Sequence, residues 1–398
     1  MNRRGRPRSL AGATILQLVP ALRDDPAGHA AVEIARMLVA SGARAIVAGD
    51  GGPLVGELRS FGAEWLPMIA GSFNPFRIRA NAKTISHLIA AERVDIVHAQ
   101  HAAAAWSALR ATHKQPVFLV TSFADRLPSS RWPGSTLRAS LARGQRVIAP
   151  SSYVSVEMMQ RYGIPPERIT VIPRAVDTDA FNPAAISGER IAALRRVWGV
   201  LPGMRIVVIA GRLASWNGQM VTVDAARLIL ASGRRDITFV FVGEDRSHPH
   251  FAASLRRRAA LHGIDTLCRF VGHCHDMPAA MAVADVVVVP ALRPPLSGRI
   301  VAEAQAVGRS VVTTAIGMLP ENVLAPPRMR EELRTGWVVR PTHPGELAAA
   351  VNAALALDAT AAEALGARAR EFAEFMFSPQ SVAGAIRGVY TSLLSRDE

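Results

Sequence analysis

Arg212 and Glu303 are the charged residues whose positions point most directly to chemistry. Arg212 follows a short apolar run that ends at Gly211, and Trp216-Asn217-Gly218-Gln219 then leads into a helical pattern. A guanidinium at the end of a strand, facing the positive end of a helix, offers a fork of donors that suits a diphosphate. We therefore expect an anion site here. The alternative is a surface arginine in a strand–helix loop.

Glu303 is the one carboxylate between Gly298 and Gly308, in a run that predicts a helix. A charge surrounded by apolar residues is costly unless it is paired or meets a ligand. Glu303 is thus a second candidate site residue. The alternative is a glutamate that faces solvent on that helix.

The segment His273-Cys274-His275, with Cys268 close by in the sequence, contains residue types that bind metals. Adjacent side chains in one turn rarely converge on one metal, and no second ligand pair stands at a standard spacing. We predict no metal site and no cofactor. A chain of 398 residues with two cysteines also lacks a disulfide framework, which is typical of a reducing compartment.

Composition and charge bound the classes of function. With 49% hydrophobic residues the chain can build two cores, which excludes a disordered or fibrous protein. The formal net charge of +14 favours anionic partners. We find no nucleic-acid motif and predict no nucleic-acid binding.

The basic start of the chain and Leu10 to Leu22 mimic a signal peptide, but Gln17 and Pro20 interrupt that run and a buried strand explains it better. We predict a cytoplasmic protein, with peripheral contact at the inner face of an anionic membrane left open.

Short β-branched runs alternate with helical patterns, as in parallel sheets covered on both faces. In the first half we predict the strands Thr14–Val19, Ala45–Ala48, Ile96–His98, Phe118–Thr121, Val147–Ala149 and Thr170–Ile172, with helices such as Ala30–Ser41 and Asn81–Ala91. After the helix-like stretch Gly188–Gly199 we predict Ile206–Ala210, Thr238–Gly243, Cys268–Val271, Val286–Pro290, Ser310–Thr313 and Gly336–Val339. The fold class is therefore α/β, with two doubly wound, Rossmann-like sheets.

The predicted organisation has four parts. Residues 1–11 form a disordered basic tail, 12–185 a first Rossmann-like domain, and 186–376 a second Rossmann-like domain. Residues 377–398 form a helix that crosses back to the first domain. A ligand is expected in the cleft between the domains, beyond the carboxyl ends of the strands.

Several motifs together resemble the nucleotide-sugar glycosyltransferases of family 4, retaining enzymes with the two-domain GT-B fold. The resemblance covers about residues 12 to 395. It rests on four segments: Val-Ile-Pro-Arg-Ala-Val-Asp (171–177), Gly-Arg-Leu (211–213) before Trp-Asn-Gly-Gln (216–219), Val-Gly-His-Cys-His-Asp-Met (271–277), and Gly-Arg-Ile-Val-Ala-Glu-Ala-Gln-Ala-Val-Gly-Arg (298–309).

The resemblance implies that 12–185 is the acceptor-side domain and that 186–376 binds the nucleotide-sugar donor, and it implies roles for particular residues. Arg212 would contact the donor's diphosphate as the catalytic residue, and Glu303 would accept hydrogen bonds from the nucleotide ribose. Backbone groups from Gly272 to Met277 would hold the base, and amides near Gly298 would face the sugar or phosphates. Further candidates for substrate binding are Gly211, Asn217, Arg299 and Arg174.

The chain also departs from the family pattern. The family lysine five positions after the arginine is Asn217, and the family glutamate eight positions before Glu303 is Pro295. A histidine expected after the strand Phe118–Thr121 is Ala124, with Asp125 beside it, and a glycine pair after the first strand is replaced around Asp25-Pro26. Losing such preorganised donors typically costs about 10² to 10³ in rate for each donor.

The expected activity is that of a hexosyl-type glycosyltransferase. It would move a sugar from a nucleoside-diphosphate donor to a glycan or lipid-linked acceptor with retention, in cell-envelope polysaccharide synthesis. The alternative is a catalytically impaired homologue that binds a nucleotide or a partner enzyme without turnover. An epimerase on the same frame stays open. A nicotinamide-dependent dehydrogenase is disfavoured because no first strand is followed by Gly-x-Gly-x-x-Gly.

Overall fold

The computed structural model describes residues 9–123, 139–244, 248–295 and 297–395. These residues form two compact units: one runs to Ala175 and resumes at Pro379, and the other is Val176–Ser378. The predicted boundary lay at 185/186. Leu10, inside the predicted tail, is buried in the core of the first unit.

The first unit alternates strands and helices. Its strands are β1 (Thr14–Ala21), β2 (Arg44–Asp50), β3 (Glu64–Pro67), β4 (Ile96–Ala99), β5 (Phe118–Ser122), β6 (Arg146–Ala149) and β7 (Ile169–Val171). Its helices up to this point are α1 (Pro26–Ala40), α2 (Leu54–Ser60), α3 (Pro75–Ala91), α4 (Ala102–Thr112) and α5 (Ser152–Tyr162).

The second unit repeats that alternation. Its strands are β8 (Arg205–Ala210), β9 (Ile237–Val242), β10 (Cys268–Gly272), β11 (Val286–Val289), β12 (Ser310–Thr314) and β13 (Gly336–Val339). Its helices are α6 (Gly188–Val197), α7 (Gln219–Ala231), α8 (Pro249–Leu261), α9 (Met277–Ala282), α10 (Arg299–Ala306), α11 (Pro344–Leu355) and α12 (Ala359–Phe377). The last helix, α13 (Pro379–Leu394), belongs to the first unit.

Both sheets are doubly wound, as the sequence predicts. Within the described residues the first sheet has the order β3-β2-β1-β4-β5-β6-β7 and the second β10-β9-β8-β11-β12-β13, and the strand pairs are parallel. The order reverses between β1 and β4 and again between β8 and β11, and such switch points are where ligands bind in open α/β sheets. The second switch point therefore frames the loops that carry Arg212 and Gly298.

The edge strand β3 was missed by the sequence prediction. Its four residues, Glu64 to Pro67, are half-buried or exposed, so they carry no continuous apolar run. A short edge strand that ends in proline is typical of a protected sheet edge, and its sequence signal is weak.

The helix α13 completes the core of the first unit. Its apolar face, which includes Val382, Ile386 and Tyr390, is buried in the same cluster as residues of β1, β2 and α1. The polar tip of Tyr390 is satisfied by the Nδ1 atom of His98 on β4 at 2.7 Å. The first core therefore consists of two segments that lie more than 200 residues apart in the sequence.

No single helix in the described ranges combines the length and the low polarity that a membrane span requires. The helix α11 and the segment Ala359–Leu394 pass that test only together, across a bend of 108°.

Candidate functional site

The loop after β8 is shaped by side chains that hold the carbonyl of Arg212. The Nδ2 atom of Asn217 and the Nε2 atom of Gln219 donate to the Arg212 oxygen at 2.8 and 2.9 Å. The Arg212 side chain is exposed, and among the described residues no hydrogen bond or ion pair involves its guanidinium. The backbone is thus fixed while the donors of Arg212 stay free for an anion.

Glycine 218 locks this loop against the neighbouring strand β11. Its φ is +73°, and a Cβ atom there would lie 1.8 Å from the carbonyl oxygen of Pro290. The amide of Leu292 donates to the carbonyl of Trp216 at 2.8 Å. The loops after β8 and β11 are therefore joined at the second switch point.

A row of three glycines lines the carboxyl edge of the second sheet. Gly211 donates to the carbonyl of Val242, and Gly243 donates to the carbonyl of Gly272, both at 2.8 Å. A Cβ atom on Gly243 would lie 2.0 Å from the oxygen of Gly211. The sequence analysis named Gly211 and Gly272 but missed Gly243, although a glycine directly after an apolar strand is a usable signal.

The carboxylate of Glu303 is buried, so the solvent-facing alternative is wrong. The residue is 3% exposed and accepts a hydrogen bond from the Nε atom of Arg299, one turn earlier on α10. Burial raises the pKa of the Glu303 carboxyl above its ordinary value, against the attraction of Arg299. Helical side chains lean towards the N-terminus, so the pair faces the amino end of α10 at the carboxyl edge of the sheet.

Arg299 was predicted to bind substrate, and the structure pairs it with Glu303. The Arg299 side chain remains 47% exposed, so part of its guanidinium still faces solvent. On the same helix, Ile300 lies 3.9 Å from the point where a Gly211 Cβ atom would stand. The first turn of α10 is therefore packed beside the loop that carries Arg212.

Gly298 leaves room for the Asn322 side chain where α10 begins. A Cβ atom there would overlap the Nδ2 atom of Asn322, at 1.4 Å. Asn322 is itself held through its carbonyl, which accepts from the Nε2 atom of Gln305 at 2.5 Å. Asn322 is a residue that the sequence analysis missed, since nothing in its local pattern places it beside Gly298.

The loop from Gly272 to Met277 is organised around Asp276. This carboxylate accepts from the amide of Ala279 at 3.1 Å, capping α9, and forms a two-pronged ion pair with Arg190 at 2.9 and 2.6 Å. The Arg190 guanidinium lowers the pKa of Asp276. Met277 starts the capped helix and Gly272, with φ +70°, ends β10, so both candidates lie in one fixed loop.

The His273-Cys274-His275 segment is held by contacts among its own side chains and backbone. The rings of His273 and His275 meet edge to face, with centroids 4.6 Å apart. The Cys274 thiol donates to the carbonyl of Asp276 at 3.5 Å, and burial raises the pKa of Cys268 to about 12. Within the described ranges no three His, Cys, Asp or Glu side chains gather as a metal site would need.

The departures from the family pattern have structural counterparts. At the position of the family lysine, the side-chain amide of Asn217 donates a hydrogen bond to the carbonyl of Arg212. Asp25 caps α1, accepting from the amides of Ala27 and Gly28 at 3.0 and 2.8 Å, so these donors of the helix N-terminus are occupied. Pro295 is half-buried.

Two other candidates lie in the first half of the chain. Ala124 and its neighbour Asp125 lie outside the described residues, so the predicted histidine position has no structural account here. Arg174 is exposed and follows β7 in the first unit.

Two Rossmann-like units with this strand order, and a switch point that carries an arginine and a buried glutamate, define a doubly wound α/β protein. Comparison with known proteins gives the family. A model described as Glycosyltransferase Family 4 matches residues 27–180, and one described as Glycosyl transferases group 1 matches residues 204–356. The chain belongs to the family 4 glycosyltransferases of the GT-B type.

Individual relatives agree with that assignment. A D-inositol 3-phosphate glycosyltransferase of Geodermatophilus obscurus is 31% identical over 258 residues, which are 63% of this chain and 53% of that protein. One from Jonesia denitrificans is 30% identical over 57% of this chain and 52% of its own length. The chain thus spans about half the length of the curated relatives it matches.

Solved structures match over nearly the full chain. A glycosyltransferase from Rickettsia africae is 27% identical, with a TM-score of 0.80, covering 97% of this chain and 100% of that one. Anabaena HepE in complex with UDP has a TM-score of 0.74 at 21% identity, over 96% of this chain and 100% of that one. The second likeness bears on the fold alone.

Proposed function

We propose that the chain transfers a sugar, with retention, from a nucleoside-diphosphate donor to a glycan or lipid-linked acceptor. The observation that carries the proposal is the second switch point, where the loop that carries Arg212 meets the loop after β11 at Gly218–Pro290 and lies beside the first turn of α10 at Gly211–Ile300. A cation and a buried carboxylate at a switch point suit the two ends of a nucleotide sugar.

In this proposal the chemistry is stabilisation of the leaving group. As the bond between the sugar carbon and the diphosphate oxygen breaks, Arg212 donates to the oxygen that gains negative charge. The acceptor hydroxyl attacks from the face that the diphosphate leaves, and its proton passes to the departing phosphate. Glu303 would accept hydrogen bonds from ribose hydroxyls, which requires it to share its carboxylate between the ligand and Arg299.

The use of nucleotide-sugar donors is tested first with the unmodified protein. Nucleoside-diphosphate release is measured with UDP-, GDP- and ADP-sugars, and inositol 3-phosphate joins the acceptor panel because of the relatives' names. Calorimetric titration of the three nucleotides identifies the base. The proposal is contradicted if the protein neither releases a nucleoside diphosphate nor binds a nucleotide with any member of the panel.

Arg212→Ala should lower kcat by about 10² to 10³ and leave the fold intact, since the side chain is exposed and its guanidinium has no hydrogen bond or ion pair with a described residue. The matched control is Arg235→Ala, an exposed arginine just before β9 at the other edge of the sheet. Steady-state kinetics and thermal unfolding check both variants. Equal activity of the two variants would remove Arg212 from the mechanism.

Glu303→Gln should weaken nucleotide binding by about tenfold or more, because a charged acceptor of ribose hydroxyls becomes neutral. Its thermal midpoint should not fall steeply, since the ionised carboxyl is buried at a cost. Calorimetry with the bound nucleotide measures the first effect. Glu371→Gln, on the exposed face of α12, is the control that should change neither.

A second candidate function is that of a homologue that binds a nucleotide without turnover. It is favoured by Asn217, which points its amide at the Arg212 carbonyl where the family has a lysine, and by Pro295. The double variant Asn217→Lys, Pro295→Glu separates the candidates. A large gain of nucleotide release indicates a disabled centre, whereas loss of an existing activity indicates a remodelled one.

We further propose peripheral contact with an anionic membrane through the exposed apolar side chains before and at the start of α3. Ile69, Phe73 and Phe76 are 44%, 45% and 80% exposed, and Arg77 and Arg79 beside them are exposed. Apolar side chains next to cations suit an anionic bilayer. Phe76→Ser should reduce sedimentation with phosphatidylglycerol vesicles; unchanged sedimentation would contradict this surface.

A further inference from the structure

The first unit has a hollow at the amino edge of its sheet, away from the carboxyl ends where ligands of this fold are expected. Two adjoining cavities of about 510 and 480 Å³ share the walls Leu109, His113 and Arg143. Arg168 lines the first cavity, and Arg110 lines the second. Each volume falls within the range of about 300–1,000 Å³ that is usual for small-molecule sites. We name this hollow the arginine cavity.

The charged side chains that line the arginine cavity have one sign among the described residues. Arg110, Arg143 and Arg168 line it together with His113, and among its described lining residues there is no aspartate or glutamate. Three guanidiniums without a carboxylate around one concave surface repel each other unless an anion joins them.

The donors of the cavity are available and partly preorganised. Arg110 and Arg143 are exposed, and neither guanidinium has a hydrogen-bond or ion-pair partner among the described residues. Arg168 is half-buried and anchored, because one of its terminal nitrogens donates to the carbonyls of Ala142 and Gly144. An anchored guanidinium loses little freedom when it binds an oxyanion with its remaining donors.

The walls between the arginines are apolar. Trp106 and Leu109 line the second cavity beside Arg110, and Phe118 lines the first. The nearby end of α4 exposes carbonyls that disfavour an anion, but Gln115 binds the carbonyls of Ala111 and Thr112 at 3.0 Å. The surface therefore combines an apolar wall with a cationic rim.

We propose that the arginine cavity binds a phosphate group carried on an apolar or aromatic body. A soluble phosphate ester and the headgroup of a phospholipid present the same chemistry. The site lies in the first unit and takes no part in the proposed sugar transfer, so its occupancy is measured by binding alone.

The test uses the full chain with Arg212→Ala in the background, so that binding at the proposed donor site is suppressed. Phenyl phosphate is titrated by calorimetry, and sedimentation is measured with phosphatidylcholine vesicles with and without phosphatidic acid. Arg143→Ala and Arg110→Ala should each weaken binding of the responding probe by about tenfold. Arg235→Ala, an equally exposed arginine in the second unit, should leave binding unchanged.

Each outcome of these binding measurements either supports the phosphate site or rejects it. A response to phenyl phosphate that depends on Arg143 supports a soluble ester, and a phosphatidic-acid response that depends on Arg143 supports a lipid headgroup. Thermal unfolding should be equal in the variants, because neither mutated guanidinium holds another residue. Binding of neither probe, or equal binding by Arg143→Ala and Arg235→Ala, overturns the proposal whatever the outcome for sugar transfer.

Discussion

His98 is a buried titratable residue that the proposed chemistry does not use. Its Nδ1 atom contacts the Tyr390 hydroxyl at 2.7 Å and its Nε2 atom the Ser122 hydroxyl at 2.6 Å, so β4, β5 and α13 meet at one imidazole. Burial lowers the pKa of His98 from 6.5 to about 3 and raises that of Tyr390. The neutral imidazole is thus part of the folded first unit.

This burial predicts a pH dependence of stability. Below pH 6.5 the unfolded chain binds a proton at His98, whereas the folded chain does not bind it until the pH approaches about 3. The contribution of His98 to the free energy of unfolding is therefore complete above pH 6.5 and is lost as the pH falls towards about 3. The loss is about 1.4 kcal/mol per pH unit. Urea unfolding at pH 7.5 and 5.5 measures it. His98→Gln should lose this part of the slope, and the exposed His87→Gln should keep it; equal slopes in all three proteins would contradict the assignment.

At the scale of elements, the loop between β8 and α7 depends on one glycine. Gly218→Ala would combine a positive φ with a backbone clash at 1.8 Å, whereas Gly203→Ala has a similar φ, +78°, and open space. We expect a cost of about 1 kcal/mol at Gly203 and about 3 kcal/mol at Gly218. The Gly218 variant should also weaken nucleotide binding, because the loop carries Arg212.

Urea unfolding and nucleotide titration of the two alanine variants check this prediction. The difference between them isolates the contact with Pro290 from the backbone cost. If both variants lose the same stability, the close approach of the loop to β11 is not required.

The strands of both sheets other than β3 could be predicted because buried parallel strands are continuous apolar runs separated by helical patterns. The ends of β8, β10 and β13 lie within a residue of the prediction. Arg212 was placed correctly at the end of a strand for the same reason. Local pattern sufficed for these elements.

Other features depend on contacts between distant segments and could not be predicted. The contact of Gly298 with Asn322, and the partner of Glu303, depend on how a helix is seated and which rotamer it adopts. The edge strand β3 has no apolar run of its own. Whether each candidate residue binds a donor stays a prediction.

At the scale of the whole molecule, the chain builds its two units from unequal pieces. The cores of the second unit use residues between Val176 and Phe377 alone, whereas the core of the first unit takes six buried side chains from α13. The second unit is thus one continuous segment, and the first closes only when the last helix is present. The stability of residues near the N-terminus therefore depends on the C-terminal helix.

Ile386→Ala on α13 should destabilise the first unit by about 2–5 kcal/mol, because it removes a side chain that is 5% exposed in that core. Hydrogen exchange read by mass spectrometry resolves the two units: exchange should rise in β1, β2 and α1, 200 residues or more away in sequence, and stay unchanged in β8 to β13. Arg387→Ala, exposed on the same helix, should leave both units as they are. A rise in the second unit equal to that in the first would mean that the two cores do not respond separately, and that a single cooperative transition joins them.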